Sequence, residues 1–174
     1  MPTHKPKTKL TVIGKIEQLE LNRALAAIRS FKIFLKHRNE GEVYFNDLLI
    51  NHLLNRDLIA RNSKIPTGKH FDEQFRPECY LGQEGRVPLL AVECKKLTDA
   101  TAKARWKEGL SQSLMYTLSY KAVALVLYDY TKKGTYAERM SDASSEESMF
   151  AAALKRKFRV YLIVLRPTRI EAVG

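Results

Sequence analysis

The chain has 174 residues, 45% of them hydrophobic and 28% charged, enough for one domain with a proper core. No apolar run approaches the ~18 residues a membrane span needs, and the opening MPTHKPKTKLTVIG is polar and basic without an apolar h-region, so the expectation is a cytoplasmic protein. Thirty Lys and Arg stand against nineteen Asp and Glu, a formal net charge of +11, which points to a polyanion, nucleic acid before others, as partner. The two cysteines, Cys79 and Cys94, have no CxxC spacing; they exclude a Cys₄ zinc site or an iron–sulfur cluster and read as small buried residues.

Residues 1–10, with three lysines, His4 and two prolines, read as a flexible basic arm, and residues 1–17 are set apart from a single domain over 18–174. From Gln18 to His37, apolar residues at Leu21, Leu25, Ile28 and Leu35 predict a helix, with Arg29, Lys32 and Lys36 as a basic stripe along it. The stretch NEGE breaks that helix. A second is expected over 42–59, with Phe45, Leu48, Leu49, Leu53 and Leu54 facing inward. Residues 61–70 form a polar loop carrying Arg61, Lys64, Lys69 and His70.

The period then changes to two. HFDEQFRPECYLG (70–82) and RVPLLAVECKKL (86–97) read as strands joined by the turn GQEG. A helix is expected over 101–120 in spite of Gly109. KAVALVLYDYT (121–131) is a continuous apolar run, the pattern of a central strand covered on both faces. KKGTYAERMSDASSEES reads as a mobile polar segment, SMFAAALKRKF as a helix ending in Lys155, Arg156 and Lys157, and RVYLIVLRP as a last strand. LTVIG, near the N-terminus, leaves room for one more. The alternation implies an α/β sandwich around a mixed sheet.

The unusual feature is VPLLAVECKKL, a buried strand that ends in charge. Strand alternation puts Glu93 and Lys95 on one face. If RPECYLG pairs antiparallel with LLAVECK, Glu78 comes to lie near Glu93, and the carboxylates of Asp72 and Glu73 are close in sequence. Paired carboxylates suit Mg²⁺ or Mn²⁺, and Lys95 beside them could orient or deprotonate a water or stabilise charge on a phosphate. The plain alternative is a strand-end ion pair.

An acid after proline, fifteen positions, then an apolar strand ending in E-x-K resembles the PD-(D/E)xK phosphodiesterase superfamily, the restriction-endonuclease-like nucleases. Gln112 and Tyr116 in the following helix resemble the Q-x-x-x-Y signature of its recombination-nuclease branch. The resemblance covers about 40–131. It implies a restriction-endonuclease-like three-layer sandwich and a Mg²⁺- or Mn²⁺-dependent nuclease acting on DNA. Glu78, Glu93 and the Cys94 backbone carbonyl would be metal ligands and Lys95 the catalytic lysine. Glu42, with Glu40 as competitor, would be the helical glutamate of the site, and Gln112, Tyr116 and Arg105 would contact substrate. A homodimer or a targeting partner chain would supply duplex recognition. The chain departs from the family in carrying glutamate after Pro77 where aspartate is usual, which leaves Asp72 as an alternative ligand, and in lacking the cysteines of that branch's metal cluster. The alternatives are a non-catalytic nucleic-acid-binding or assembly protein that keeps this fold, and a basic structural protein.

Overall fold

The computed structural model describes residues 12–58, 68–70, 73–82 and 87–169; of the strands at 68–70 and 73–75 the backbone alone is described. The basic arm and most of the 61–70 loop therefore lie outside the described residues, as does Asp72. In chain order the elements are α1 (Lys15–Ser30), a 3-10 turn (Leu35–His37), α2 (Glu42–Leu54), β1 (Gly68–His70), β2 (Glu73–Phe75), β3 (Cys79–Leu81), β4 (Leu90–Leu97), α3 (Ala102–Tyr116), β5 (Ala122–Asp129), α4 (Thr135–Ser141), α5 (Glu146–Phe158) and β6 (Val160–Leu165).

The fold is α/β, built on a mixed four-stranded sheet in the order β3-β4-β5-β6. β3 is antiparallel to β4, whereas β4, β5 and β6 run parallel. Every residue of β5 is buried, as expected of a strand covered on both faces. One face carries Leu90, Val92, Cys94, Ala124 and Val126 and packs on Leu21, Leu25 and Ile28 of α1 and on Phe45, Leu49 and Leu53 of α2. The other carries Ala91, Leu97, Val123, Leu125 and Leu127 and meets Ala102 and Tyr116 of α3 and Leu154 of α5. Helices thus cover the sheet on both sides. Cys79 and Cys94 are free and buried, and burial pushes the Cys79 thiol up to about 12. Among the described residues no helix is long and apolar enough to cross a membrane.

Several elements differ from the sequence reading, each for a physical reason. The first helix stops at Ser30, not His37, because Phe34 forms a parallel bridge with Thr168, with Leu35 N–H bonded to the Thr168 carbonyl and Thr168 N–H to that of Ile33. Lys32 and Lys36 therefore leave the helix on which Arg29 sits, and no single basic stripe runs along it; Leu35 is 40% exposed. On α2 the inward stripe is Phe45, Asn46, Leu49 and Leu53, and Leu48 faces outward. The strand expected over 70–82 is broken at Pro77, which has no N–H to donate and disfavours continuation before it. β2 pairs instead with β1, and β3 with β4. Residues 12–14 are not a strand.

The segment expected to be mobile contains α4. Its cause is long-range: Asp129, fully buried at the end of β5, accepts from the N–H groups of Tyr136 at 3.1 Å and Ala137 at 2.9 Å and from the Thr131 hydroxyl at 2.6 Å. Gly134 starts the helix at φ 60°, a left-handed conformation that favours glycine. Asp129→Ala strands these donors and should lower stability by about 3 kcal/mol, read from urea melts followed by circular dichroism.

Candidate active site

The site begins with a short strand. β3 ends its pairing at Cys79↔Val92, and the Glu78 N–H still reaches the Val92 carbonyl at 3.0 Å. Glu78 thus stays at Val92, where pairing ends, and its carboxylate is close enough to act on Glu93. Beyond it the last residues of β4 have β5 on one side and, among the described residues, no strand on the other. The Lys96 N–H faces that open edge and donates to Glu42 Oε2 at 2.7 Å, so a carboxylate from the first turn of α2 takes the place of a strand carbonyl. Backbone groups alternate sides along a strand, so the Cys94 carbonyl faces the same edge as those of Val92 and Lys96.

The side chains of Glu93 and Lys95 point the other way, under α3. Both are buried, 2% and 4% exposed. The Lys95 ammonium donates to Glu93 Oε1 at 2.6 Å and lies 3.4 Å from Glu108 and 3.9 Å from Glu42. Tyr116 donates its hydroxyl to Glu93 Oε2 at 3.0 Å. Arg105 bonds to Glu42 and, at 2.6 Å, to Glu108. Residues 105, 108, 109, 112 and 116 follow helical spacing and form the stripe of α3 turned to this cluster. Gly109 belongs to it for a steric reason: a Cβ there would stand 2.8 Å from Lys95 Cγ and 2.9 Å from Leu125 Cδ1. The glycine lets the lysine stem pass beneath the helix.

Burial pushes the Glu78 carboxyl above the usual carboxylate range, with Glu42 and Asp47 adding repulsion, while Lys95 and a hydrogen bond from Asn46 act against it. Burial raises Glu93 as well, partly offset by Lys95 and Tyr116. Burial works against the Lys95 charge, yet the bond to Glu93 and the fields of Glu93, Glu42 and Glu108 outweigh it and raise its pKa. Lys95 is therefore held as an ammonium, suited to stabilising negative charge and unsuited to taking a proton at neutral pH. Burial and the adjacent Glu93 push the Tyr116 phenol far up, so it acts as a neutral donor.

Of the residues singled out from sequence, Glu42, Glu78, Glu93, Lys95, Arg105 and Tyr116 are brought together by these contacts. Gln112 lies on the same stripe, its Oε1 buried and without a hydrogen-bond partner among the described residues. Glu42 takes part through its carboxylate, whereas Glu40 is exposed and offers its backbone carbonyl to Lys96 Nζ. Sequence reasoning missed Glu108, Gly109 and Asn46. Glu108 stands three after Arg105 and four before Gln112, and a lone glycine within a helical pattern signals a packing demand; either could have been found that way. Trp106 packs into the core on this side, edge-on to Phe150.

Two outcomes test this geometry. Alanine favours a helix over glycine by about 1 kcal/mol, but Gly109→Ala should still destabilise by about 1–2 kcal/mol through overpacking. The loss should shrink in a Lys95→Ala background, a coupling that a double-mutant cycle of urea melts measures. Because the Glu78 carboxyl is raised above the ordinary carboxylate range by burial, the folded state binds its proton more tightly than the unfolded chain. The associated stability is present in acid and is lost as pH rises through the raised value. In a chelator, Glu78→Gln should thus melt higher than wild type at about pH 8 and converge with it near pH 4.

No family model, curated protein or solved structure matches this chain, so the reading of the site rests on its own geometry.

Proposed function

We propose that the chain is a metal-dependent nuclease that hydrolyses phosphodiester bonds in DNA, built on a restriction-endonuclease-like version of its α/β sandwich. The observation that carries this reading is a buried Glu93–Lys95 pair beside a strand edge, with a second carboxylate, Glu78, close enough to act on Glu93. A plain strand-end ion pair would sit in solvent. This one is desolvated, which costs several kcal/mol per ion in a fold that could have placed aliphatic side chains there.

The donor chemistry fits a hard divalent cation. Glu42, Glu78, Glu93 and Glu108 stand around Lys95 and Arg105, an excess of acid in a part-buried setting. Among the described residues no trio of His, Cys, Asp and Glu converges into a ready cage. The ligands would therefore be Glu78, Glu93 and the Cys94 carbonyl, with substrate and water oxygens completing the shell, as Mg²⁺ and Mn²⁺ accept. When bound, the cation supplies Lewis-acid polarisation of the phosphate and acidification of a water.

The chain's own groups do the rest. Lys95 holds a positive charge where a non-bridging phosphate oxygen would carry developing negative charge. Tyr116 and Glu108 hold Glu93 and Lys95 in place, and Glu42 fixes the strand edge. Gln112 offers a buried amide oxygen on the same helix face. The net charge of +11 provides sequence-independent attraction to the phosphate backbone. Duplex cutting by so small a domain calls for a homodimer or a targeting partner chain, and the cytoplasm is the compartment proposed.

One observation favours a second reading, a nucleic-acid-binding or assembly protein without catalysis: Lys95 and Arg105 are both already paired with carboxylates, as in a structural charge network. The deciding experiment is cleavage of labelled linear and circular DNA by purified protein with Mg²⁺, Mn²⁺ or EDTA. Wild type should cut only with metal, and Glu93→Ala and Lys95→Ala should each lose about 10²–10³-fold or more in rate. Salt-sensitive DNA binding without cutting in any metal, unchanged in both variants, overturns the nuclease reading in favour of the second.

A further inference from the structure

Where the parallel strands end, the chain turns basic. β5 is followed by Thr131, Lys132 and Lys133, and β6 by Arg166, Pro167, Thr168 and Arg169. Lys132, Arg166 and Arg169 line one recess of about 320 Å³, together with Asp129 and Thr131. Its rim is fixed by hydrogen bonds. Thr168 donates its N–H to the Ile33 carbonyl at 2.9 Å and accepts from the Leu35 N–H at 3.0 Å, so the segment carrying both arginines is pinned to the turn after α1. The Lys132 N–H donates to Asp99 at 2.9 Å. Gly134 has a second reason to lack a side chain, because a Cβ there would stand 2.8 Å from Arg166 Nε. The acid in the recess is already engaged: Asp129 accepts from the N–H groups of Tyr136 and Ala137 and from the Thr131 hydroxyl. Arg166 lies 3.6 Å from Glu138, both of them exposed, while Lys132 and Arg169 have no carboxylate partner among the described residues.

We propose that this recess binds a phosphate of a nucleic-acid backbone, beside the point of cleavage and not at it. The proposal extends the nuclease reading and rests on that reading's choice of nucleic acid as partner. Leu97 pairs with Asp129 and Tyr128 with Leu165, so the three strands end level. The recess therefore opens at the same end of the sheet as Glu93 and Lys95, the carboxyl end, where α/β sheets place their ligands. Two strand spacings, about 10 Å, separate β4 from β6, a span that a backbone of a few nucleotides covers. The arginines offer planar forks of donors that match phosphate oxygens, and Lys132 adds a point charge. Such contacts hold and orient a backbone of any sequence. The other basic cluster, Lys155, Arg156 and Lys157, closes α5 just before β6 begins. It thus sits at the opposite end of the sheet and does not face the site.

Fluorescence anisotropy of a labelled DNA duplex and of a labelled single strand, titrated with the full chain in EDTA over a range of salt, tests this without any cutting. The double variant Lys132→Ala/Arg169→Ala should bind about tenfold more weakly at low salt. Its plot of log affinity against log salt should be shallower by about two, one for each phosphate contact removed. Arg156→Ala/Lys157→Ala removes the same formal charge at the other end of the sheet and should leave affinity and slope as in wild type. Urea melts followed by circular dichroism confirm that both variants fold. Where wild type cuts, the recess variant should raise KM with kcat little changed, the mark of binding made equally before and during the reaction. Equal losses in the two double variants would reduce the effect to net charge and overturn the assignment, as would no loss in the recess variant. Inorganic phosphate binding by isothermal titration calorimetry that the recess variant abolishes, beside unchanged DNA binding, would overturn it in favour of a small free anion. Recess-dependent DNA binding by a wild type that cuts with no metal supports the assignment and removes the nuclease reading alone. A wild type that binds no DNA removes both.

Discussion

Everything distinctive in this molecule is arranged around one buried ammonium. Lys95 is 4% exposed on a strand whose neighbours Ala91, Val92 and Leu97 are fully buried, and a charge taken there out of water is tolerated only when paired and hydrogen-bonded. Glu93 supplies the direct bond, and Glu108 and Glu42 supply the surrounding field. Those acids need restraint of their own, which comes from Tyr116 on Glu93, Arg105 on Glu42 and Glu108, and the Lys96 N–H on Glu42. Gly109 is the steric counterpart of the same demand, because a side chain there would collide with the lysine stem.

The site also depends on where the sheet stops. α2 and α3 lie on opposite faces of the sheet, and a full-length neighbour to β4 would keep them apart. Because β3 spans only Cys79–Leu81, Glu42 reaches past the sheet edge and touches both Lys96 on the strand and Arg105 on the far helix. One carboxylate thus satisfies an orphan edge N–H, which would otherwise be a pairing liability, and ties two layers together. Pro77 is the residue that makes the edge short, by ending β2 before β3 begins.

What was legible in the sequence was whatever depended on local period and pairing. The run of β5, the placing of Glu93 and Lys95 on one face and the approach of Glu78 to Glu93 all follow from strand alternation and an antiparallel register. What was hidden depended on partners far along the chain. The end of α1 is set by Thr168, more than a hundred residues away, so the apolar rhythm through Leu35 kept suggesting helix. α4 exists because Asp129 receives its first N–H groups, and its own sequence, TYAERMS, carries no sign of that. Asn46 looks like a solvated helix position and is buried, while Glu108 is exposed and only the neighbouring strand shows that it also reaches Lys95. Gly109 reads as a weak spot in a helix until Lys95 is placed beneath it.

A cluster with more acid than base, part of it desolvated, lowers the stability of the folded chain by itself. Burial, with a smaller addition from like charges, raises the carboxyls of Glu78 and Glu93, and the raised values register that cost. A fold selected for stability alone would relieve it by changing one glutamate to glutamine or an aliphatic residue. On the nuclease reading the relief comes instead from the cation. An ion that binds the assembled carboxylates, and not the unfolded chain in which they are scattered, shifts the folding equilibrium toward the native state by mass action. Stability and chemistry would then be linked through one ligand, with the destabilising acids kept because they create the affinity. The non-catalytic reading offers no such return for a buried, unevenly balanced charge cluster, and on that ground the catalytic reading is the stronger of the two.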